Sequence, residues 1–149
     1  MLLDLYQTET AYIAQEQTAL LDQAGDTLRS GALLSRLEQN GVLHAIQVLV
    51  ENAIGKAKQL LKARGDQVPI SAYDSFAALT ERNLIPEDDL PAWNSAIGLR
   101  NRIAHDYMNI DMNLVLDLVR KERYRFVTSF LLKRYEVKAG RRHEKSGMR

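Results

Sequence analysis

In VLHAIQVLVENAIGKAKQLLKARG, residues 42 to 65, Leu43, Ile46, Val50, Ala53, Ala57 and Leu60 recur at alternating spacings of three and four. That period places all six on one stripe of an α-helix but scatters them over both faces of a strand, so the segment reads as a helix packed against other helices. Strand signals are almost absent elsewhere. Residues 4 to 38 alternate Leu, Ile and Tyr with Gln, Glu and Asp on a helical period, interrupted near Ala24-Gly25-Asp26 and Ser30-Gly31, and predict one or two helices. Gly65 is a stop for the amphipathic helix, Ser71 a cap for a short helix reaching Asn83, and PEDDLPAW opens another with acidic residues and a proline in its first turn. Asn109 or Asp111 then caps a final long helix in which Met112, Val115, Val119, Phe126 and Phe130 recur through about Val137. The pattern predicts an all-α fold, an antiparallel bundle of four to six helices, with residues 1–137 as a single domain and residues 138–149 as a basic tail.

A chain of 149 residues suits one domain. No apolar run approaches the roughly 18 residues of a membrane span, and no segment resembles a secretory signal. The absence of cysteine removes disulfides and thiolate metal sites, and the expected location is the cytoplasm. A formal net charge of +1 conceals an asymmetry: residues 1–119 carry 9 Lys and Arg against 16 Asp and Glu, whereas residues 120–149 carry 11 against 3. The basic end suits phosphate polyanions, although a solvated helix face and tail would have the same composition.

Residues 97–110, IGLRNRIAHDYMNI, gather Arg100, Asn101, Arg102, His105, Asp106 and Tyr107, more polar chemistry than packing needs. On a regular helix Arg100 and Tyr107 project within about 20° of each other, but Arg100 and His105 lie about 140° apart. Either the helix ends or distorts near His105, or these groups converge with their copies across a two-fold axis. Arg102 and His105, three apart, share a face, so spacing alone leaves the choice of arginine open. A structural helix end would also favour histidine and arginine beside its last carbonyls.

The string RNRIAHDY resembles the Arg, four residues, His, one residue, Tyr signature of the HEPN superfamily, in its HepT-like toxin branch. Arg100, His105 and Tyr107 fit without a gap, Asn101 matches the polar residue after the family arginine, and the likeness spans about residues 40–135. The resemblance implies a HEPN-like helical homodimer acting as a metal-independent endoribonuclease, the toxin of a HepT/MntA-type, type VII-like toxin–antitoxin system. It implies RNA as substrate, no cofactor, and catalytic roles for Arg100 and His105. Its further implication is a minimal nucleotidyltransferase antitoxin that transfers adenylate to Tyr107. The residue chemistry is consistent with this. His105 suits proton transfer near neutral pH, and Arg100 offers a planar fork to phosphate. Asn101 positions either group, Arg102 binds substrate or pairs with Asp106, and Tyr107 bonds to phosphate or stacks on a base.

Other candidates carry less. His44 and His143 form no metal-ligand spacing with a carboxylate, so no metal site is expected. Glu51 reads as an exposed helix position, with a role at a dimer cleft as the alternative. Trp93, Phe126 and Phe130 read as core. The competing functions are a non-catalytic helical module that binds a nucleotidyltransferase or nucleic acid, and a plain dimerisation bundle.

Overall fold

The structure, a computed structural model, describes residues 2–137; the expected basic tail, residues 138–149, lies outside them. Every regular element among the described residues is helical: α1 (Leu2–Arg29), α2 (Arg36–Ala63), α3 (Ala72–Glu81), α4 (Leu90–His105), α5 (Met112–Arg120) and α6 (Arg125–Leu132), with short 3-10 turns at Glu87–Asp89 and Tyr107–Asn109. Helix α2 is central and packs against α1, α3, α4 and α6. Its seam residues Leu43, Ile46, Val50, Ala53, Ala57 and Leu60 are all buried, as the period requires. Among the described residues no helix is long and apolar enough to cross a membrane.

Several boundaries differ from the sequence pattern. Helix α1 runs unbroken through Ala24-Gly25-Asp26. Gly25 leaves room there: a Cβ would sit 2.9 Å from the Arg29 guanidinium, which crosses it to donate to the Arg120 carbonyl at the end of α5 (2.8 Å). Helix α2 begins at Arg36, earlier than the apolar seam, because Ser35 accepts from the Glu38 amide while the Glu38 side chain accepts from the Ser35 amide. The expected final long helix is two helices. Asp111 caps α5 through the Leu114 amide, and the helix breaks at Glu122 (φ 55°), whose carboxylate holds Arg125 at 2.6 Å. Gly65 (φ 82°) and Ser71 end α2 and cap α3 as read.

Polar bonds lace α1 to the C-terminal elements. Gln7 donates to the Tyr135 carbonyl (3.0 Å) and accepts from its amide (2.8 Å), the Thr18 and Thr128 hydroxyls share a bond of 2.8 Å, and Asp22 accepts from Tyr124 and Arg125. These satisfy buried groups and set the register of α1 on α6.

Lys56 is the polar residue that the α2 pattern concealed. Its side chain is fully buried, and its ammonium donates to the carbonyls of Phe130 (2.6 Å), Leu131 (3.4 Å) and Lys133, closing the C-terminal end of α6. The rings of Phe130 and Tyr135 lie about it at 5.1 and 5.0 Å. Burial first, then Arg134 and Lys133, pull its pKa down from 10.5 to about 8. Between those values the unfolded chain binds the proton that the folded chain has released, so this position contributes more stability as pH rises through the interval. Lys56→Met should cost about 3 kcal/mol near neutral pH by stranding buried carbonyls. In urea melts the gap between parent and variant should widen from pH 8 towards 10.5; a gap that narrows would contradict the assigned shift.

Candidate active site

Helix α4 carries the Arg-His-Tyr cluster, and its rotation is set by Trp93. That indole is buried, stacked on Phe76 at 4.2 Å, and meets Phe126 and Phe130 edge-on at 4.8 and 5.2 Å. Trp93 and Phe130 are core, as expected, and Phe126 packs partly buried against them. At about 100° per residue, Arg100 falls within about 20° of Trp93, inside the arc that also buries Ile97 and Ile103. Arg100 is accordingly half-buried, and its Nε is sealed from solvent without a hydrogen-bond partner among the described residues. A polar group stranded in this way demands a reason beyond packing.

The other motif residues point elsewhere. Asn101 is half-buried, and Arg102 and His105 are exposed. Helix α4 ends at His105, where Asp106 leaves the helical region (φ −143°, ψ 45°), but residues 100 to 105 stay helical and the offset of about 140° between Arg100 and His105 persists. The chain by itself therefore does not bring Arg100 and His105 onto one face. Asp106, read as a candidate partner of Arg102, instead accepts from Asn109 at 2.7 Å.

Tyr107 opens the 3-10 turn after α4, with 49% of its surface exposed, and its hydroxyl donates to Asn40 Oδ1 at 2.5 Å. No sequence signal marked Asn40, which stands 67 residues away on the first turns of α2. The pair meets because α4 runs antiparallel to α2: Ala92, Ala96 and Leu99 lie along Val50, Leu49 and Ile46 in one cavity. His44 and Glu51 are exposed on α2, and Gln47 donates to Glu51 at 3.1 Å. Among the described residues no three His, Asp or Glu side chains cluster as metal ligands would.

The arrangement offers a stranded arginine for an anion, an unpartnered histidine at a helix end, and a half-exposed phenol held by one bond. Asn40→Ala should speed amide exchange over residues 107–110 and leave global stability within about 1 kcal/mol, the worth of one exposed hydrogen bond. Unaltered exchange would mean that the turn is held by Asp106 and Asn109 alone.

Comparison with known proteins agrees with the all-helical fold. The family model of the ribonuclease HepT-like family matches residues 14–132. The mRNA nuclease HepT of Shewanella oneidensis is 29% identical over 82 residues, which are 55% of this chain and 62% of that protein, so the chain spans less than two thirds of this relative's length. A tri-AMPylated Shewanella oneidensis HEPN toxin in complex with its MNT antitoxin superposes with a TM-score of 0.72 at 22% identity, covering 85% of this chain and 96% of that one. A toxin–antitoxin structure with AMP-PNP gives 0.71 at 19% identity, covering 85% and 97%. At these identities the structural likeness establishes the all-helical HEPN fold.

Proposed function

We propose that this chain, which belongs to the HepT-like ribonuclease family, is the toxin of a toxin–antitoxin pair: a metal-independent endoribonuclease silenced by adenylylation of Tyr107. The single observation that carries the catalytic part is the stranded Nε of Arg100, a buried donor aimed at an acceptor that the described residues do not supply. The rest of the half-buried guanidinium has no carboxylate partner among the described residues, so its fork is free to take a phosphate and neutralise charge building on phosphorus. In the reaction the 2′-hydroxyl oxygen bonds to phosphorus, the bond from phosphorus to the 5′-oxygen breaks, one proton leaves the 2′-hydroxyl and one reaches the 5′-oxygen. His105 serves one of those transfers. The His105 of a second copy serves the other, which is why a two-fold homodimer belongs to the proposal and why the angular gap along α4 is no obstacle to it.

Regulation follows from Tyr107. Its phenol is half-exposed and lies just past His105, within reach of a nucleotidyltransferase, and the AMPylated, antitoxin-bound Shewanella oneidensis toxin supports extending that chemistry to this chain. Each adenylate adds an anionic phosphodiester beside the charge that holds substrate, an intramolecular competitor at an effective concentration of about millimolar. The separation of Arg100 and His105 within one chain favours a second reading, a non-catalytic module that binds the nucleotidyltransferase.

Purified protein should cleave RNA in excess chelator, and His105→Ala and Arg100→Ala should each lower the rate by about 100-fold or more, Arg102→Ala by less. Activity lost to chelator and restored by magnesium would overturn the metal-independent mechanism, and no cleavage under either condition would favour the binding module. With antitoxin and ATP, mass spectrometry should place adenylate on the Tyr107 peptide while Tyr107→Phe escapes silencing. Tyr107→Phe silenced as fully as the parent would leave occlusion by the partner as the account of neutralisation.

A further inference from the structure

Most arginines of the fold are committed to structure: Arg29, Arg64, Arg82, Arg120, Arg125 and Arg134 all hold carboxylates. Among the described residues Arg36, Arg100, Arg102 and Arg123 have no such partner, and the last two lie close together. Both line one groove between α4 and α5, about 580 Å³ in volume, whose floor is Leu99, Leu114, Val115 and Leu118. Asp117 also faces this groove, but Lys121 (3.0 Å) first and then Arg120 (3.3 Å) bind its carboxylate and hold its pKa below the usual carboxylate range, so the rim keeps its positive charge. Past Arg123 the groove meets a second, apolar recess of about 230 Å³, which shares Ser95, Leu99, Leu118 and Arg123 with it.

Two free guanidinium groups above an aliphatic floor match a particular ligand: a planar apolar face joined to a phosphate. We infer that the α4–α5 groove is a nucleotide subsite for single-stranded RNA, in which Arg102 and Arg123 hold the phosphate of a nucleotide neighbouring the scissile one and its base lies on Leu99 and Leu118 towards the recess. RNA is favoured over a protein segment because the groove is continuous with the motif helix through Arg102 and because its unpaired charge is all positive. This rests on the ribonuclease reading and assigns a substrate subsite to a part of the molecule distinct from Arg100 and His105. Arg102 lies about 160° around α4 from Arg100, so a strand occupying both passes around the exposed C-terminal end of that helix.

The test is binding of a 2′-O-methyl oligoribonucleotide, which cannot be cleaved, to the full chain by fluorescence anisotropy across a salt series. Arg123→Gln should weaken binding about 10-fold and lower the salt slope by about one, Arg102→Gln should do the same, and Ser95→Trp should weaken binding by filling the junction with an exposed-position substitution that keeps the helical circular dichroism. Lys62→Gln, on the far end of α2, is the control and should stay within about 2-fold. Binding unchanged in both Arg123→Gln and Ser95→Trp overturns the subsite. Unchanged RNA binding with loss of nucleotidyltransferase association would overturn it in favour of a protein-docking groove. If the parent binds the oligonucleotide through Arg123 yet cleaves no RNA, the catalytic reading falls and the groove stands; if it cleaves RNA and both groove variants bind as the parent does, the reverse holds.

Discussion

One buried ammonium holds the parts of this fold in register. Lys56 sits at 0% exposure in the central helix and takes up carbonyls that α6 cannot satisfy for itself. Among the described residues no carboxylate neutralises it; the dipoles at the end of α6 and the faces of Phe130 and Tyr135 do so. Because its stem is fixed on α2, it sets where α6 ends and seats Phe130. Phe130 in turn meets Trp93 at 5.2 Å, and Trp93 fixes the rotation of α4. The orientation of Arg100 is thus a consequence, two turns on, of how the core is closed around Lys56.

The same economy of polar contacts governs α1. Its buried stripe is Gln7, Thr10, Ala14, Thr18, Leu21, Gly25 and Leu28, in which small and polar residues outnumber the two leucines. Apolar burial is concentrated at those leucines, and the register of the helix is fixed by hydrogen bonds to Tyr135, Thr128, Tyr124 and Arg125. Burial and Asp22 push the Tyr124 phenol well above its ordinary value, which keeps it a donor at any physiological pH.

For the site, the result is a division of labour around one helix. Arg100 faces inward with an unspent donor, whereas Arg102 and His105 face solvent, and Tyr107 is drawn back to α2 by Asn40. In the proposed reaction, a substrate bridging Arg100 and His105 of one chain would pass round the C-terminal end of α4, where the backbone leaves the helix at Asp106.

Helical period alone determined that α2 is a helix with one buried seam, that Ser71 and Gly65 bound it and its neighbour, and that Arg100 and His105 cannot share a face of α4, because these follow from 100° per residue and from local capping. The motif string also carried the family. Local signals did not determine the break at Glu122, which has no glycine or proline to announce it, or the continuity of α1 through Gly25, where the missing Cβ serves Arg29 rather than a turn. Nor did they determine Asn40, Arg123 or the burial of Lys56. Those depend on which side chains from remote segments arrive at the same point, and a lysine in an apolar stripe reads as a solvated interruption until another helix brings it three carbonyls.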